Sequence, residues 1–312
     1  MSEHVLVTGG CGFVGANLVP RLLEAGHEVR VLDDFRTGRR EYLDGLDVDI
    51  LEGDICDEET VVKVMRDVDS VIHLAAAGSV LDSVADPAAN FQANAAGTFS
   101  VLNAARHAGV ERLVFSSTGG ALIGNATPPV NEQSLPKPIS PYGASKLAAE
   151  AYCHAFAKSF DIRTIALRFA NVYGPYSGHK KGAITVFFKA LHIGQPIVIY
   201  GDGHASRDFM YVADIANGIQ RALTADVPGG MVVHLATGVE TSVTELAVAC
   251  RRVAGRPDHP IEYRAKRAGE VERNFATFDL AHELLGFTPS VSLEAGLAET
   301  WEWYQRHVLS TP

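Results

Sequence analysis

The order of segments along the 312 residues predicts an α/β fold, with a doubly wound parallel sheet and a smaller α/β part on its C-terminal side. Three observations predict it. Short apolar runs alternate with helical stretches through the first half. A glycine-rich turn, VTGGCGFVGAN, follows the first run and opens the first helix. After about Asn171 the alternation loosens, Gly and Pro become frequent, and strands shorten.

Residues 4–8 form an apolar run ending in glycines, which reads as a buried strand. Residues 12–25 carry Phe13, Leu18, Leu22 and Leu23 at helical spacing and stop at Gly26. The next strand, 28–32, ends in Asp33-Asp34. Further strands are predicted at 48–52, 70–74, 112–116 and 163–168, and helices at 58–66, 90–108 and 142–159. Such alternation argues for a parallel sheet covered on both faces. Beyond it, helices are predicted at 212–223, 244–254 and 293–306. The expected division is a cofactor-binding domain over 1–170 and a substrate-binding domain over 171–312, with segments interleaved.

Composition narrows the function. The chain is 47% hydrophobic and 21% charged, an ordinary globular balance. A formal net charge of -10 without a Lys/Arg block argues against a nucleic-acid partner. Cys11, Cys56, Cys153 and Cys250 are scattered with no C-x-x-C, as expected of reduced thiols in the cytoplasm. The N-terminus enters a strand without a leader pattern, and no apolar run approaches a membrane span. The 12 histidines form no metal-ligand pattern, so no metal is expected. No G-x-S-x-G elbow supports a serine hydrolase.

Gly9, Gly12 and Gly15 follow a strand and open a helix. Glycines there let the backbone turn and approach a pyrophosphate, which the helix N-terminus then holds. The predicted sheet is therefore of the Rossmann type. Asp33 lies 18 residues past Gly15, where a carboxylate accepts from the adenosine ribose hydroxyls. It repels a 2′-phosphate, so NAD is favoured over NADP, although nearby Arg36 weakens that preference. Asp54, after the third strand, is within reach of the adenine.

The catalytic pattern lies in SPYGASKLAAE. Tyr142 and Lys146 are four apart and share a helix face. A free phenol has a pKa of about 10, too high for a base at neutral pH. An adjacent ammonium and a positive nicotinamide ring favour the phenolate. The preceding strand runs into Ser116-Ser117-Thr118, at the edge where parallel sheets place ligands. Thr118 is expected to hydrogen-bond the reacting oxygen. The pattern points to alcohol–ketone chemistry by hydride transfer.

With these motifs the sequence resembles the extended short-chain dehydrogenase/reductases, and within them the UDP-glucose 4-epimerase-like NDP-sugar epimerases. The resemblance covers nearly the whole chain, through TGGCGFVG, VLDDF, GDI, HLAA, SST, YGASK, LRFANVYGP, GDGHASRDFMYVADIA and RAGEVE. It implies NAD held by Gly9, Gly12, Phe13, Val14, Asp33, Asp54, Ile55, Leu74, Ala75, Asn94, Ser116, Tyr142, Lys146 and Phe169. It implies a UDP-sugar held by Thr118, Asn171, Tyr200, Arg207, Arg267 and Glu270. Asn171 and the two arginines would take the diphosphate, Tyr200 the nucleobase and Glu270 the ribose. Two arginine forks suit a diphosphate. The implied reaction is C4 epimerisation of UDP-glucose/UDP-galactose through a 4-keto sugar, catalysed by Thr118, Tyr142 and Lys146. The alternatives are epimerisation of UDP-N-acetylglucosamine or UDP-glucuronate, an NDP-4-ketosugar reductase, or a non-catalytic NAD-binding regulator. A homodimer is also implied, paired through the helices over 90–108 and 142–159.

The departures from the family pattern bear on the substrate. Ile123 stands where Tyr is common, and Gly119 follows Thr118 where dehydratases and decarboxylases carry an acid. Asn274 falls at the position that gates room around the hexose, and is small enough to admit an N-acetyl group. His179, Lys180 and Lys181 read by default as a solvated turn, with phosphate or sugar-carboxylate binding as the other reading.

Overall fold

A computed structural model of the chain describes residues 2–266 and 271–308. The first six strands are β1 (His4–Thr8), β2 (Glu28–Asp33), β3 (Asp49–Glu52), β4 (Ser70–His73), β5 (Arg112–Thr118) and β6 (Arg163–Phe169). All pair in parallel, in the spatial order β6-β5-β4-β1-β2-β3. Winding reverses between β1 and β4, and the reversal opens a crevice at the carboxyl ends of the strands.

The strands are apolar throughout because helices cover both faces. Val5 and Val7 of β1 pack with α1 (Phe13–Glu24) on one side. Leu6, between them, packs on the other side with α2 (Glu58–Val64). β5 and β6 run further than expected, with Ser116, Ser117 and Thr118 paired to Leu167, Arg168 and Phe169. The polar Ser-Ser-Thr run is thus strand rather than loop. Its hydroxyls make this possible, because Ser116 Oγ donates to the His73 carbonyl at 2.9 Å and Ser117 Oγ to Glu150 at 2.5 Å.

The helix expected over 90–108 is interrupted. After α3 (Val80–Ala85) come α4 (Pro87–Phe91), a π turn at Gln92–Ala96 and α5 (Gly97–Ala108). The wide turn lets the Asn94 side chain reach across to Ala77, and Thr98 Oγ1 donates to the Asn94 carbonyl at 2.5 Å. A short α6 (Gly120–Ile123) precedes α7 (Pro141–Phe160), which starts at the Ser140 cap with proline in its first turn.

Past residue 171 the chain is divided between two layers. β7 (Asn171–Tyr173), α8 (Ala183–Ile193), β8 (Ile197–Tyr200), β9 (Ser206–Arg207) and β10 (Phe209–Tyr211) build small sheets over a second core. The chain then returns. α9 (Val212–Thr224) places Ile215 and Ile219 in the main core, and β11 (Met231–Leu235) pairs with β6 as the seventh strand. β12 (Thr241–Ser242), α10 (Val243–Val253), β13 (Ile261–Arg264), β14 (Arg273–Asn274), α11 (Asp279–Leu285) and α12 (Leu293–His307) follow. The expected helices near 212, 244 and 293 are present within one or two residues of their predicted ends.

Two buried carboxylates tie this second part down. Asp208 accepts from the Thr237 and Gly238 amides at 3.0 and 3.1 Å and from Thr237 Oγ1 at 2.7 Å. Asp214, 4% exposed, accepts from the Ser290 and Val291 amides at 3.0 Å and from Ser290 Oγ at 2.7 Å. Each anion satisfies several buried donors at once, which is where hydrogen bonds contribute most. Asp214→Ala is expected to lower the unfolding free energy by about 2–4 kcal/mol, read as a reduced midpoint in urea denaturation.

Candidate active site

The crevice end of each strand delivers one group. Gly9 and Gly12 follow β1, Asp33 ends β2, Asp54 and Ile55 follow β3, and Leu74 and Ala75 follow β4. Ser116 and Thr118 end β5, and Phe169 ends β6. Gly9 has φ 71°, and a Cβ there would lie 2.7 Å from the Ala75 amide nitrogen. Gly15 packs α1 onto the loop, where a Cβ would meet the Gly10 carbonyl at 2.4 Å. The N-terminus of α1 has no side-chain cap, so its first amides are left for another acceptor. Asp33 is 6% exposed and accepts from the Cys11 and Phe35 amides, both at 2.9 Å. Burial raises its carboxyl above the usual range. This loop, amide row and fixed carboxylate fit the diphosphate and ribose of a dinucleotide.

Three expected residues have different surroundings from those the sequence implied. The Phe13 side chain is buried in the second core, in one cluster with Tyr173, Phe188 and Tyr304. Ile55 packs under α5 against Gly97. Arg36 is paired with Asp34 at 3.1 Å and Asp54 at 2.5 Å. Burial works to raise Asp54, but the Cys56 amide and Arg36 hold it below the usual carboxylate range.

Asn94 and His73 brace the crevice from beneath. Asn94, 1% exposed, accepts from the Ala77 amide at 2.8 Å and donates to Ser145 Oγ at 3.2 Å. His73 is fully buried, and burial lowers it to about 3, so it is neutral. Its two nitrogens meet Thr8 Oγ1 at 2.6 Å and Thr98 Oγ1 at 3.0 Å. Thr98 donates onward to the Asn94 carbonyl, so it accepts the proton of His73 Nε2. Thr8 accepts from the Ala75 amide at 3.3 Å and donates to His73 Nδ1. One chain of hydrogen bonds thus joins β1, β4 and α5.

Tyr142 and Lys146 lie one turn apart on α7, against the end of β5. The Tyr142 hydroxyl lies near Thr118, whose side chain acts to favour the phenolate. Lys146, 2% exposed, donates to the Ser116 carbonyl at 2.8 Å and lies 4.6 Å from the Phe115 ring centroid. Burial lowers Lys146 to about 7 and pushes Tyr142 up to about 12 despite Thr118. The phenol is therefore protonated in this state, contrary to what an adjacent lysine alone would give. The low-dielectric site penalises the phenolate more than Thr118 favours it.

On the other wall, Asn171 is exposed at the start of β7 and its amide donates to the Asp208 carbonyl at 3.2 Å. Arg207 Nη1 donates to the Ser206 carbonyl at 2.7 Å. Tyr200 ends β8, partly buried and followed by Gly201. Arg267 and Glu270 lie outside the described residues. Asn274 is 8% exposed with its side chain against Gly120, where a Cβ would come within 3.0 Å of it. Ile123 is buried in a small cluster with Leu122, Val130, Ala236 and Ala276. Glu150 and Arg168, buried beneath Lys146, were not singled out from the sequence. The signal was present in the repeat Tyr142, Lys146, Glu150, which continues the same four-residue spacing.

The turn expected at 179–181 is solvated only in part. Lys181 pairs with Asp82 at 3.2 Å, both side chains exposed. Lys180 instead points inward, donating to the Val172 carbonyl at 3.1 Å and lying 4.9 Å from the Phe13 ring centroid. Burial lowers it from 10.5 to about 8. Between those two pH values the unfolded chain binds the proton and the folded chain does not, so stability rises with pH there and the buried ammonium costs most below about 8. Lys180→Met is expected to stabilise the cofactor-free protein at pH 7 by about 1–3 kcal/mol. The gain should shrink as pH climbs toward 10, as read by urea denaturation at pH 7 and 9.5.

A family profile described as the NAD dependent epimerase/dehydratase family matches residues 5–236. A UDP-glucose 4-epimerase of Mycolicibacterium smegmatis is 37% identical, covering 97% of this chain and 98% of its own. The crystal structure of a UDP-glucose 4-epimerase from Thermotoga maritima, with UDP-glucose, superposes with TM-score 0.92 at 35% identity, covering 97% of this chain and 99% of its own. That of Thermus thermophilus UDP-glucose 4-epimerase in complex with NAD gives 0.91 at 34% identity, covering 98% and 100%. The profile spans well over half of the chain, and the likeness to full-length relatives extends over nearly all of it. The chain belongs to the NAD dependent epimerase/dehydratase family.

Proposed function

We propose that this chain is a UDP-glucose 4-epimerase, interconverting UDP-glucose and UDP-galactose at C4 through a transient 4-keto sugar. The observation that carries this reading is the convergence of Thr118, Tyr142 and Lys146 at the end of β5, on the wall of a crevice shaped for a dinucleotide. What NAD contributes when bound is a reversible hydride store and a positive charge beside the phenol.

The chain's own residues do the rest. Tyr142 removes the proton of the 4-hydroxyl and returns it after the ketone has turned over. Thr118, beside the Tyr142 hydroxyl, orients the reacting oxygen and relays the proton. Lys146 supplies positive charge beneath the phenol. Asn171, Arg207 and Arg267 anchor the diphosphate of the substrate, Tyr200 its nucleobase and Glu270 its ribose. A firm anchor and a loosely held hexose let the keto sugar present either face without escaping. The absence of an acid after Thr118, where Gly119 stands, argues against elimination chemistry.

The reading includes a division of labour. Residues 1–170 hold the cofactor and 171–312 the sugar nucleotide, with β11 and α9 returned to the first part. A cytoplasmic setting is supported by the four free cysteines. Among the described residues, no helix is long and apolar enough to cross a membrane.

Purified protein without added NAD is expected to convert UDP-glucose to UDP-galactose, resolved by NMR. Conversion of only UDP-N-acetylglucosamine or UDP-glucuronate would reassign the sugar. No conversion even with NAD added would refute an epimerase acting on these sugars. Tyr142→Phe is expected to lose at least ~1000-fold in kcat while keeping its NAD content, measured by absorbance after denaturation.

The reading also includes a homodimer. Phe91, Phe99, Tyr152 and Phe160 are exposed on α4, α5 and α7, and Phe99 meets Tyr152 with ring centroids 5.4 Å apart. Such an aromatic face suits pairing with its own copy. The protein is expected to sediment as a dimer, and Phe99→Glu with Tyr152→Glu as a monomer.

A further inference from the structure

Beneath Lys146 lies a charged pair that nothing in the proposed reaction uses. Glu150 stands one turn beyond Lys146 on α7, as Lys146 stands one turn beyond Tyr142. Its carboxylate accepts from Arg168 Nε at 3.0 Å and Nη2 at 2.8 Å, a two-pronged fork with side chains 4% and 5% exposed. It also accepts from Ser117 Oγ at 2.5 Å. Ser117 shares a peptide group with Ser116, whose carbonyl holds Lys146 Nζ at 2.8 Å. Both ends of that peptide unit are therefore gripped by α7, by Lys146 through the oxygen and by Glu150 through the next side chain.

We propose that Glu150, held by Arg168, is a positioning residue for the proposed reaction. It locks the Ser116–Ser117 peptide that holds Lys146 and supplies the negative charge that keeps Lys146 protonated beneath Tyr142. The inference rests on the epimerase reading for its catalytic consequence, but not for its effect on Lys146 itself.

The neighbours of Lys146 leave this task to Glu150. On α7, Cys153 is kept neutral by burial, which pushes its thiol up, and Tyr142 is protonated. From β4, His73 is neutral. From β5 come the Phe115 ring face and the Ser116 carbonyl. From β6 comes the guanidinium of Arg168, and from β11 His234, which burial and Arg168 keep neutral. Cys153 and then Glu150 act to raise Lys146, but the buried thiol carries no charge, so the anion facing Lys146 is the Glu150 carboxylate. Among the described residues Arg168 Nη1 has no acceptor, so the guanidinium depends on Glu150 for its balance. A buried pair of this kind adds little net stability compared with apolar residues of similar size. Its retention here is explained by what it does to Lys146.

Glu150→Gln removes the negative charge and leaves Arg168 unbalanced, so Lys146 should lose its proton more readily. The direct readout is the pH titration of the Lys146 Cε resonance in protein carrying 13C-labelled lysine, as purified, assigned by its loss in Lys146→Met. The midpoint is expected to fall by roughly one pH unit. The alkaline limb of the kcat profile should move down with it, and kcat at pH 8.5 should fall roughly tenfold. If the Glu150→Gln variant does not fold, the pair Glu150→Leu with Arg168→Met replaces both charges by apolar groups. It should fold and still show the lowered midpoint. An unchanged midpoint in a folded variant, or failure of both variants to fold, overturns the proposal and leaves the pair a structural staple. A wild type that converts no nucleotide sugar refutes the proposed reaction while leaving the lysine titration readable, so the two failures are distinguishable.

Discussion

Lys146 donates to the Ser116 carbonyl at 2.8 Å, and this bond holds α7 across the end of β5. An ammonium 2% exposed is costly to keep, and few arrangements tolerate it. Here the cost is offset by a carbonyl, an aromatic face and a carboxylate one turn away. The carbonyl belongs to the Ser-Ser-Thr run, and Ser117 of the same run donates to the carboxylate, so both require β5 to continue as strand through it. The pairing of Thr118 with Phe169 keeps it so. With that edge fixed, Tyr142 falls against Thr118 and the glycine loop stands two strands away across the winding reversal.

The two walls of the crevice are stabilised differently. The cofactor side is braced by a continuous polar chain through Ala75, Thr8, His73, Thr98 and Asn94, buried beneath the strand ends. Each donor in it has an acceptor, which makes such a network rigid rather than costly. The wall proposed for the sugar rests on short strands and on two buried carboxylates, Asp208 and Asp214, that collect backbone amides from distant segments. A rigid cofactor wall facing a wall of loops and short sheets fits a reaction in which the dinucleotide stays still and the hexose turns.

Much of the main sheet is legible because buried parallel strands and amphipathic helices leave strong periodic patterns. The strand at 4–8 has its expected bounds, and those at 28–33, 70–73 and 163–169 differ from expectation by one residue at one end. The interruption at Gln92–Ala96 was not legible, since its residues are ordinary helix formers and the cause is a contact with Ala77, far along the chain. The return of Met231–Leu235 to the main sheet was equally hidden as to place, because a five-residue apolar run does not say which edge it pairs with. Glu150 followed a visible spacing, but its partner Arg168 lies 18 residues on and on another element.

By itself the sequence determined the fold class, the glycine loop, the acidic residue closing the second strand, and the Tyr142–Lys146 pair. These are local matters of spacing, backbone freedom and helix faces, and they survive any arrangement of the rest. Only the tertiary structure decided which charges are spent on one another. It paired Arg36 with Asp34 and Asp54, turned Lys180 inward, and put a buried carboxylate beneath Lys146. Burial and pairing set the proton affinity of a side chain, and both depend on residues brought together from distant parts of the chain.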